Sequence, residues 1–168
     1  MRAITAFLFL LIVQAAVPAS AQTGANRPPA AAELTAGYAG FVDDAMIDHG
    51  VIAGALRFHL LPRISVGPEV QYMIGPGDDR DVILTGNLTV DVLPPGRRAT
   101  PYFVAGGGFF HHSDRFGAST FSSTEGAFTA GGGVRGWLND RVYVAGDFRV
   151  GWELHYRVAG TIGVALSK

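Results

Sequence analysis

The chain has 168 residues, a formal net charge of −1 and no cysteine. This length suits a single domain, the lack of cysteine excludes disulfides and thiol chemistry, and the balanced charge gives no reason to expect nucleic-acid binding. Charged residues make up 16% of the chain, against about 25% in typical soluble domains. The composition therefore points away from an ordinary water-soluble domain.

Residues 1–21 have the pattern of a secretory signal peptide. A basic residue precedes the apolar run Ala3–Val13, and Ala19–Ala21 forms a small-residue cleavage site. The apolar run is shorter than the ~20 residues that a spanning helix needs. We therefore predict Sec-type export and cleavage of the signal peptide. A Pro- and Ala-rich periplasmic lead over residues 22–32 and a single barrel domain over residues 33–168 would follow.

Eight segments follow in which apolar and polar residues alternate. In chain order they are Glu33–Val42, Val51–Leu60, Arg63–Ile74, Asp81–Val92, Pro101–His111, Glu125–Leu138, Arg141–Trp152 and Glu153–Leu166. Strict alternation is typical of a strand with two different faces. These segments are long enough for the ~9–11 residues with which a tilted strand crosses a bilayer. Because only closed barrels let strands span lipid with every backbone group bonded, we predict an all-β fold, an eight-stranded antiparallel up-and-down transmembrane β-barrel.

The two faces of these segments differ in charge. Even-numbered positions carry no Asp, Glu, Lys or Arg, so every charged residue of the segments falls at an odd-numbered position. A charge at the lipid midplane costs ~2–4 kcal/mol for Arg or Lys, so we predict that the even face meets lipid and the odd face lines the lumen. Large apolar and aromatic residues also occupy the odd face, namely Phe41, Ile83, Phe103, Phe109 and Tyr143. A soluble lipocalin-like periplasmic binding barrel, apolar inside and polar outside, is the alternative. Its odd face would have to contact water, for which these residues are poorly suited.

The breaks between the segments predict the turns and the orientation. Asn139-Asp140 is a two-residue hairpin signal. The longer connections, Asp43–Gly50, Gly75–Arg80 and His112–Thr124, all fall on the side opposite the chain ends. Outer-membrane barrels have short periplasmic turns and longer outer loops. We therefore predict a bacterial outer-membrane protein with its N-terminus in the periplasm.

Three stretches, Pro101–Gly108, Gly131–Arg135 and Asn139–Tyr143, resemble the outer-membrane β-barrels related to the OmpA transmembrane domain and OmpX. The resemblance implies a porin-like integral membrane protein with a structural or surface-interaction role. It also implies a monomer in contact with outer-membrane lipid and lipopolysaccharide, delivered by periplasmic chaperones and the barrel-assembly machinery. Two features depart from the family: the chain ends Leu166-Ser167-Lys168 rather than on an aromatic residue, and Pro68 interrupts the third segment. Pro68 predicts a bulge or a missing ladder bond.

Charged residues of the odd face are the first candidate site. Eight strands leave an interior just wide enough for side chains, and buried charges need partners. We therefore predict a plugged or very narrow lumen that is filled by a charge network of Arg57, Glu69, Arg135, Asp147, Arg149 and Arg157. A gate or a narrow ion path is the functional alternative.

His111, Ser113 and Glu125 are the second candidate site. Lipid A deacylases are small eight-stranded outer-membrane barrels with a His-x-Ser motif and a later Glu, and these residues reproduce that spacing. Ser113 would be the nucleophile, His111 the base and Glu125 the orienting group. Asp114 stands where the family has Asn, and all three residues continue the odd, lumen-facing series, away from a lipid substrate. We therefore predict no enzymatic activity, with a lipid A esterase as the alternative.

No cofactor or metal site is evident in the sequence. His49, His59 and His155 are isolated along the chain, which is weak evidence for metal ligands. The glycine runs at residues 106–108 and 131–133 lie within predicted strands rather than between a strand and a helix, so they do not form a phosphate-binding loop.

Overall fold

The computed structural model of the protein describes residues 28–42, 46–116 and 119–166, without the side chains of residues 115 and 116. The described part contains the strands β1 Ala30–Val42, β2 Met46–Leu61, β3 Ile64–Ile74, β4 Arg80–Asp91, β5 Ala99–Phe116, β6 Ser119–Trp137, β7 Val142–Gly151 and β8 His155–Ala165. None of the described residues belongs to a helix long and apolar enough to cross a membrane. The predicted signal peptide and the first part of the predicted lead lie outside the described residues.

The strands close into one barrel with an up-and-down order. Each strand pairs antiparallel with its neighbours in sequence, and β1 also pairs with β8. This arrangement confirms the predicted eight-stranded fold. The start of β1 and the end of β8 lie at the same end of the barrel, here called the terminal end. The opposite end, where β1 connects to β2, β3 to β4, β5 to β6 and β7 to β8, is called the distal end.

Several strands extend further than the sequence pattern predicts. β1 begins at Ala30 and β2 at Met46, inside the stretches predicted as lead and as connection. β5 and β6 stay paired as far as Phe116 opposite Ser119, so most of the predicted loop His112–Thr124 is a two-stranded ribbon. A ribbon beyond the barrel has no buried face, and its sequence therefore lacks the alternation by which the other strands were predicted.

β5 reverses the predicted assignment of faces. Tyr102 and Phe110 are buried, whereas Phe103 and Phe109 are 66% and 62% exposed. The prediction that odd positions line the lumen is therefore wrong for β5. Side chains alternate strictly within a strand, but the number of residues in the connection before a strand can vary. The connection formed by residues 92–98 brings even-numbered positions of β5 opposite odd-numbered positions of β4.

The outer surface is apolar over the body of the barrel. Large exposed side chains cover it, including Leu34, Leu56, Leu84, Leu88, Phe128, Val134, Phe148 and Ile162. Away from the distal ends of the strands, the outward series of the described residues contains no Asp, Glu, Lys or Arg. The polar and charged residues of the strands point instead into the interior.

Pro68 leaves a gap in the ladder between β2 and β3. The register between β2 and β3 is the same on both sides of the gap, but Leu56 and Arg57 have no paired residue on β3. The gap matches the missing ladder bond predicted from Pro68, and the shift of register lies elsewhere, between His59 and Leu61. A Cβ on Gly67 would lie 1.7 Å from the carbonyl oxygen of Leu56. Glycine is therefore required where the two strands approach at the gap.

Candidate functional site: the charged interior and the distal mouth

The charged side chains of the interior form two layers. In the layer nearer the terminal end, Arg57 donates to both carboxylate oxygens of Glu33, with Nε–Oε1 at 2.7 Å and Nη2–Oε2 at 2.8 Å. Arg57 Nη1 donates to Thr89 Oγ1 at 2.6 Å and to Ser65 Oγ at 3.2 Å. The hydroxyl of Tyr143 donates to Glu33. Fork-like pairing of this kind fixes the guanidinium in one orientation.

Arg135 completes this terminal layer. Its guanidinium carbon lies 5.0 Å from the ring centre of Tyr102 and 5.1 Å from that of Tyr143. Its Nη1 donates to Asp91 Oδ1 at 3.2 Å, and the residue is 1% exposed. Cation–π contact and an ion pair together stabilise a charge that has been removed from water.

The second layer is a ring of four charged residues nearer the distal end. Arg149 and Arg157 occupy paired positions on β7 and β8, where two like charges would repel each other. Glu69 contacts Arg149 Nη1 at 3.0 Å and Arg157 Nη1 at 2.6 Å. Asp147 contacts Arg149 Nη2 at 2.9 Å and Arg157 Nη2 at 3.3 Å. Each carboxylate therefore binds both guanidinium groups, and the ring is neutral.

The structure places all six predicted lumen residues in the interior, in two layers that Tyr102 connects by donating from its hydroxyl to Asp147 Oδ2 at 3.2 Å. The sequence analysis missed two of the carboxylates, Glu33 and Asp91, and the two tyrosines that pack on Arg135. The charge balance could have revealed the carboxylates, because the six predicted residues comprise four arginines and only two acids. Buried charges need partners, and Glu33 and Asp91 both belong to the odd series of their strands.

An apolar layer separates the charge network from the distal mouth. It contains the buried side chains of Ala39, Phe41, Val51, Met73, Ile83 and Phe110. The ring of Phe41 lies 4.8 Å from that of His49 and 4.9 Å from that of His155. Buried side chains are therefore present at each of these levels, from the terminal end to the base of the distal mouth.

A cluster of histidines and aspartates lies above this apolar layer. His49 Nε2 is 2.9 Å from Asp79 Oδ2 and 3.2 Å from Asp81 Oδ2. His112 Nδ1 is 2.7 Å from Asp81 Oδ1 and 3.5 Å from Asp79 Oδ1. The sequence analysis treated His49 as isolated, because its two partners are contributed by β4 and by the connection before it. His112 points inward only because β5 reverses the assignment of faces.

The three residues of the hydrolase alternative do not assemble into a triad. His111 Nδ1 is hydrogen-bonded to Thr124 Oγ1 at 2.8 Å, and Glu125 accepts a hydrogen bond from Trp152 Nε1 at 3.2 Å. His111 and Ser113 belong to the outward series of β5, whereas Glu125 belongs to the inward series of β6. The prediction that all three face the lumen is therefore wrong for His111 and Ser113.

Comparison with protein-family models and with curated proteins finds no match. Solved structures match in fold. Neisserial surface protein A (NspA) has a TM-score of 0.74 and 10% identity, over 84% of this chain and 100% of that chain. The N-terminal β-barrel domain of Pseudomonas aeruginosa OprF has a TM-score of 0.60 and 12% identity, over 80% and 96%.

Ail, the attachment invasion locus protein of Yersinia pestis, has a TM-score of 0.58 and 9% identity, over 82% of this chain and 97% of that chain. At such low identity these likenesses concern architecture, and they agree with the closed antiparallel sheet of the described residues. The chain therefore has the fold of the small eight-stranded outer-membrane β-barrels.

Proposed function

We propose that the protein is an integral outer-membrane β-barrel with a closed, charge-filled lumen, and that it has a structural or surface-interaction role. The observation that carries this proposal is a wall that is apolar and free of charged residues away from the distal ends of the strands, around two buried layers whose charges balance. A water-soluble lipocalin-like barrel requires the reverse polarity. A lipid environment favours an apolar wall around a charged interior, because charges on the lipid face of a barrel are destabilising.

The layered interior supports a closed lumen rather than an open pore. The four arginines and four carboxylates of the two charged layers are each 9% exposed or less. An ion entering from the distal end would have to displace the apolar layer around Phe41 and Phe110 and then break the ring around Glu69. Barrels that leave an aqueous channel have about 16–18 strands, about twice the number here.

The ribbon of β5 and β6 supports a role at the cell surface. It continues beyond the pairing of the other strands and exposes Ser, Thr and Phe121, whose side chain is 58% exposed. With the chain termini in the periplasm, this ribbon would project outward from the membrane. Outer-membrane lipid and lipopolysaccharide would surround the monomeric barrel. The barrel-assembly machinery and periplasmic chaperones would deliver it after Sec-type export.

The test of this proposal is cell fractionation combined with gel mobility. The protein should fractionate with the outer membrane, migrate faster in unheated than in heated samples, and lack its first 21 residues by mass spectrometry of the mature chain. Recovery as a water-soluble periplasmic monomer would contradict the proposal and favour the lipocalin-like alternative.

The absence of hydrolytic activity is proposed from the positions of His111, Ser113 and Glu125. A nucleophile and its base need hydrogen-bond contact at about 2.6–3.2 Å, and the hydrogen bonds of His111 and Glu125 go to Thr124 and Trp152 instead. Lipid A from cells expressing the wild type should have the same mass as lipid A from cells expressing Ser113→Ala. An acyl chain missing only with the wild type would show that the protein is an esterase.

A further inference from the structure

We propose that His49, Asp79 and Asp81 form a binding site for a divalent transition-metal ion of the Zn²⁺ class at the distal mouth of the barrel, with His112 at its edge. These residues lie apart from the charged layers of the lumen, beyond the apolar layer. The inference does not rest on the proposed function, since it concerns the folded barrel in any environment.

The donor atoms already converge on one point. His49 offers Nε2 and the two aspartates one oxygen each, and all three atoms lie within 4.8 Å of one another. The two contacts of His49 Nε2, 2.9 Å to Asp79 Oδ2 and 3.2 Å to Asp81 Oδ2, are close to the separation of ligands around zinc. Metal–ligand distances of about 2.0–2.2 Å in a tetrahedron place neighbouring ligands roughly 3.3–3.6 Å apart. Small side-chain rotations would therefore admit the ion.

The cluster is enclosed and held by the backbone. The side chains of His49 and Asp81 are 2% and 3% exposed, and that of Asp79 is 15% exposed. Asp79 is fixed by a turn, in which its N–H donates to the Pro76 carbonyl at 3.3 Å and its carbonyl accepts from Gly75 N–H at 3.1 Å. A Cβ on Gly75 would lie 2.4 Å from Asp79 Oδ2 and 2.5 Å from His49 Nε2. The site thus requires the close approach that glycine permits.

One atom of the cluster lacks a hydrogen bond among the described residues. Asp79 Oδ1 is buried without a donor within hydrogen-bond geometry, and His112 Nδ1 is 3.5 Å away. A buried carboxylate oxygen without a hydrogen bond loses the solvation it would have in water. A cation at the cluster, bound by either oxygen of Asp79, would compensate for that loss.

The donor set distinguishes between metals. One imidazole nitrogen and two carboxylate oxygens suit Zn²⁺. Ca²⁺ instead binds a larger number of oxygen ligands, and Mg²⁺ binds oxygen ligands while it keeps several of its water molecules. With His49 neutral, the two carboxylates contribute a charge of −2, which a divalent ion cancels. His112 holds Asp81 through Oδ1 and leaves Oδ2 directed at His49, an orienting contact of the kind that supports metal ligands.

The experiment is a titration of the purified, tag-free barrel in detergent micelles with ZnSO₄ and, separately, with CaCl₂, by calorimetry. We expect one tight Zn²⁺ equivalent, at least tenfold weaker Ca²⁺ binding, and at least a tenfold loss of Zn²⁺ affinity in His49→Gln and in Asp81→Asn. Asp78→Asn is the matched control, because Asp78 is an exposed carboxylate of the same connection. It should bind as the wild type does.

Retention of the heat-dependent gel shift shows that each variant is folded, and Asp79→Asn provides a further ligand variant if one of the others is not. The proposal is overturned if the folded wild type binds no Zn²⁺ equivalent more tightly than folded His49→Gln does, or if Ca²⁺ binds as tightly as Zn²⁺. Since all measurements use the folded barrel in micelles, a failure here leaves the proposed membrane role untouched.

Discussion

Replacing Glu69 by Gln should destabilise the barrel by about 3–5 kcal/mol, the usual result of removing one partner from a buried charge cluster. Glu69 binds Arg149 and Arg157, which face each other across β7 and β8, and it also accepts a hydrogen bond from Asn87 at 3.1 Å. The substitution leaves two buried cations with one carboxylate, Asp147. It also directs an amide donor at groups that are themselves donors. Against a total of about 5–15 kcal/mol, this loss is large.

A second substitution separates charge balance from packing. Adding Arg149→Met to Glu69→Gln leaves one cation, Arg157, opposite Asp147, and replaces the lost cation by an apolar side chain of similar length. Neutral replacement of buried ion pairs is often tolerated, so we expect the double variant to recover about half of the loss. Asp140→Asn, at an exposed position of the β6–β7 turn, is the control and should change stability by less than about 0.5 kcal/mol.

The assay is urea unfolding of the barrel in phospholipid vesicles, followed by tryptophan fluorescence and by the gel shift, with linear extrapolation to water. The reasoning would be refuted by a Glu69→Gln variant within about 1 kcal/mol of the wild type, since the ring would then not be a coupled unit. A double variant less stable than Glu69→Gln alone would refute it equally, because packing rather than charge balance would then decide stability.

Three further predictions concern the wall and the lumen. Gly67→Ala should abolish the heat-dependent gel shift because of the 1.7 Å approach to Leu56, whereas Gly54→Ala, with nothing within 4 Å of its new Cβ, should keep it. Leu84→Arg, on the outward face, should lower stability by about 2–4 kcal/mol, and Phe121→Arg, on the ribbon beyond the barrel, by less than about 0.5 kcal/mol in the same unfolding assay. The wild-type barrel in planar bilayers should show no stable large conductance, and such a conductance would contradict a filled lumen.

Alternation along the chain was sufficient to predict the closed fold and most of the interior, because a strand with one face in lipid tolerates no charge on that face. It failed at β5, because the number of residues in the turn before a strand can vary, and in this turn it places the even-numbered residues of β5 on the inward face. It also failed for the ribbon beyond the barrel, where neither face is buried and no alternation marks the strand.

The distal cluster could not be predicted for a different reason. His49, Asp79 and His112 come from three different places in the chain, and only the closure of the sheet brings them together. The parity of β2 and β4 alone would have placed His49 and Asp81 on the inward series. Their mutual distance, however, depends on the register between β2, β3 and β4, which no residue pattern specifies with enough precision.

The gap at Pro68 has a mechanical consequence. A closed barrel opens laterally where two neighbouring strands separate, and the junction between β2 and β3 lacks ladder pairs at Leu56 and Arg57. Arg57, one of the two residues left out of that ladder, is also the residue whose guanidinium reaches Glu33 on β1, Ser65 on β3 and Thr89 on β4. Side-chain hydrogen bonds of Arg57 thus connect the strands across the interruption, where ladder pairs between β2 and β3 are missing.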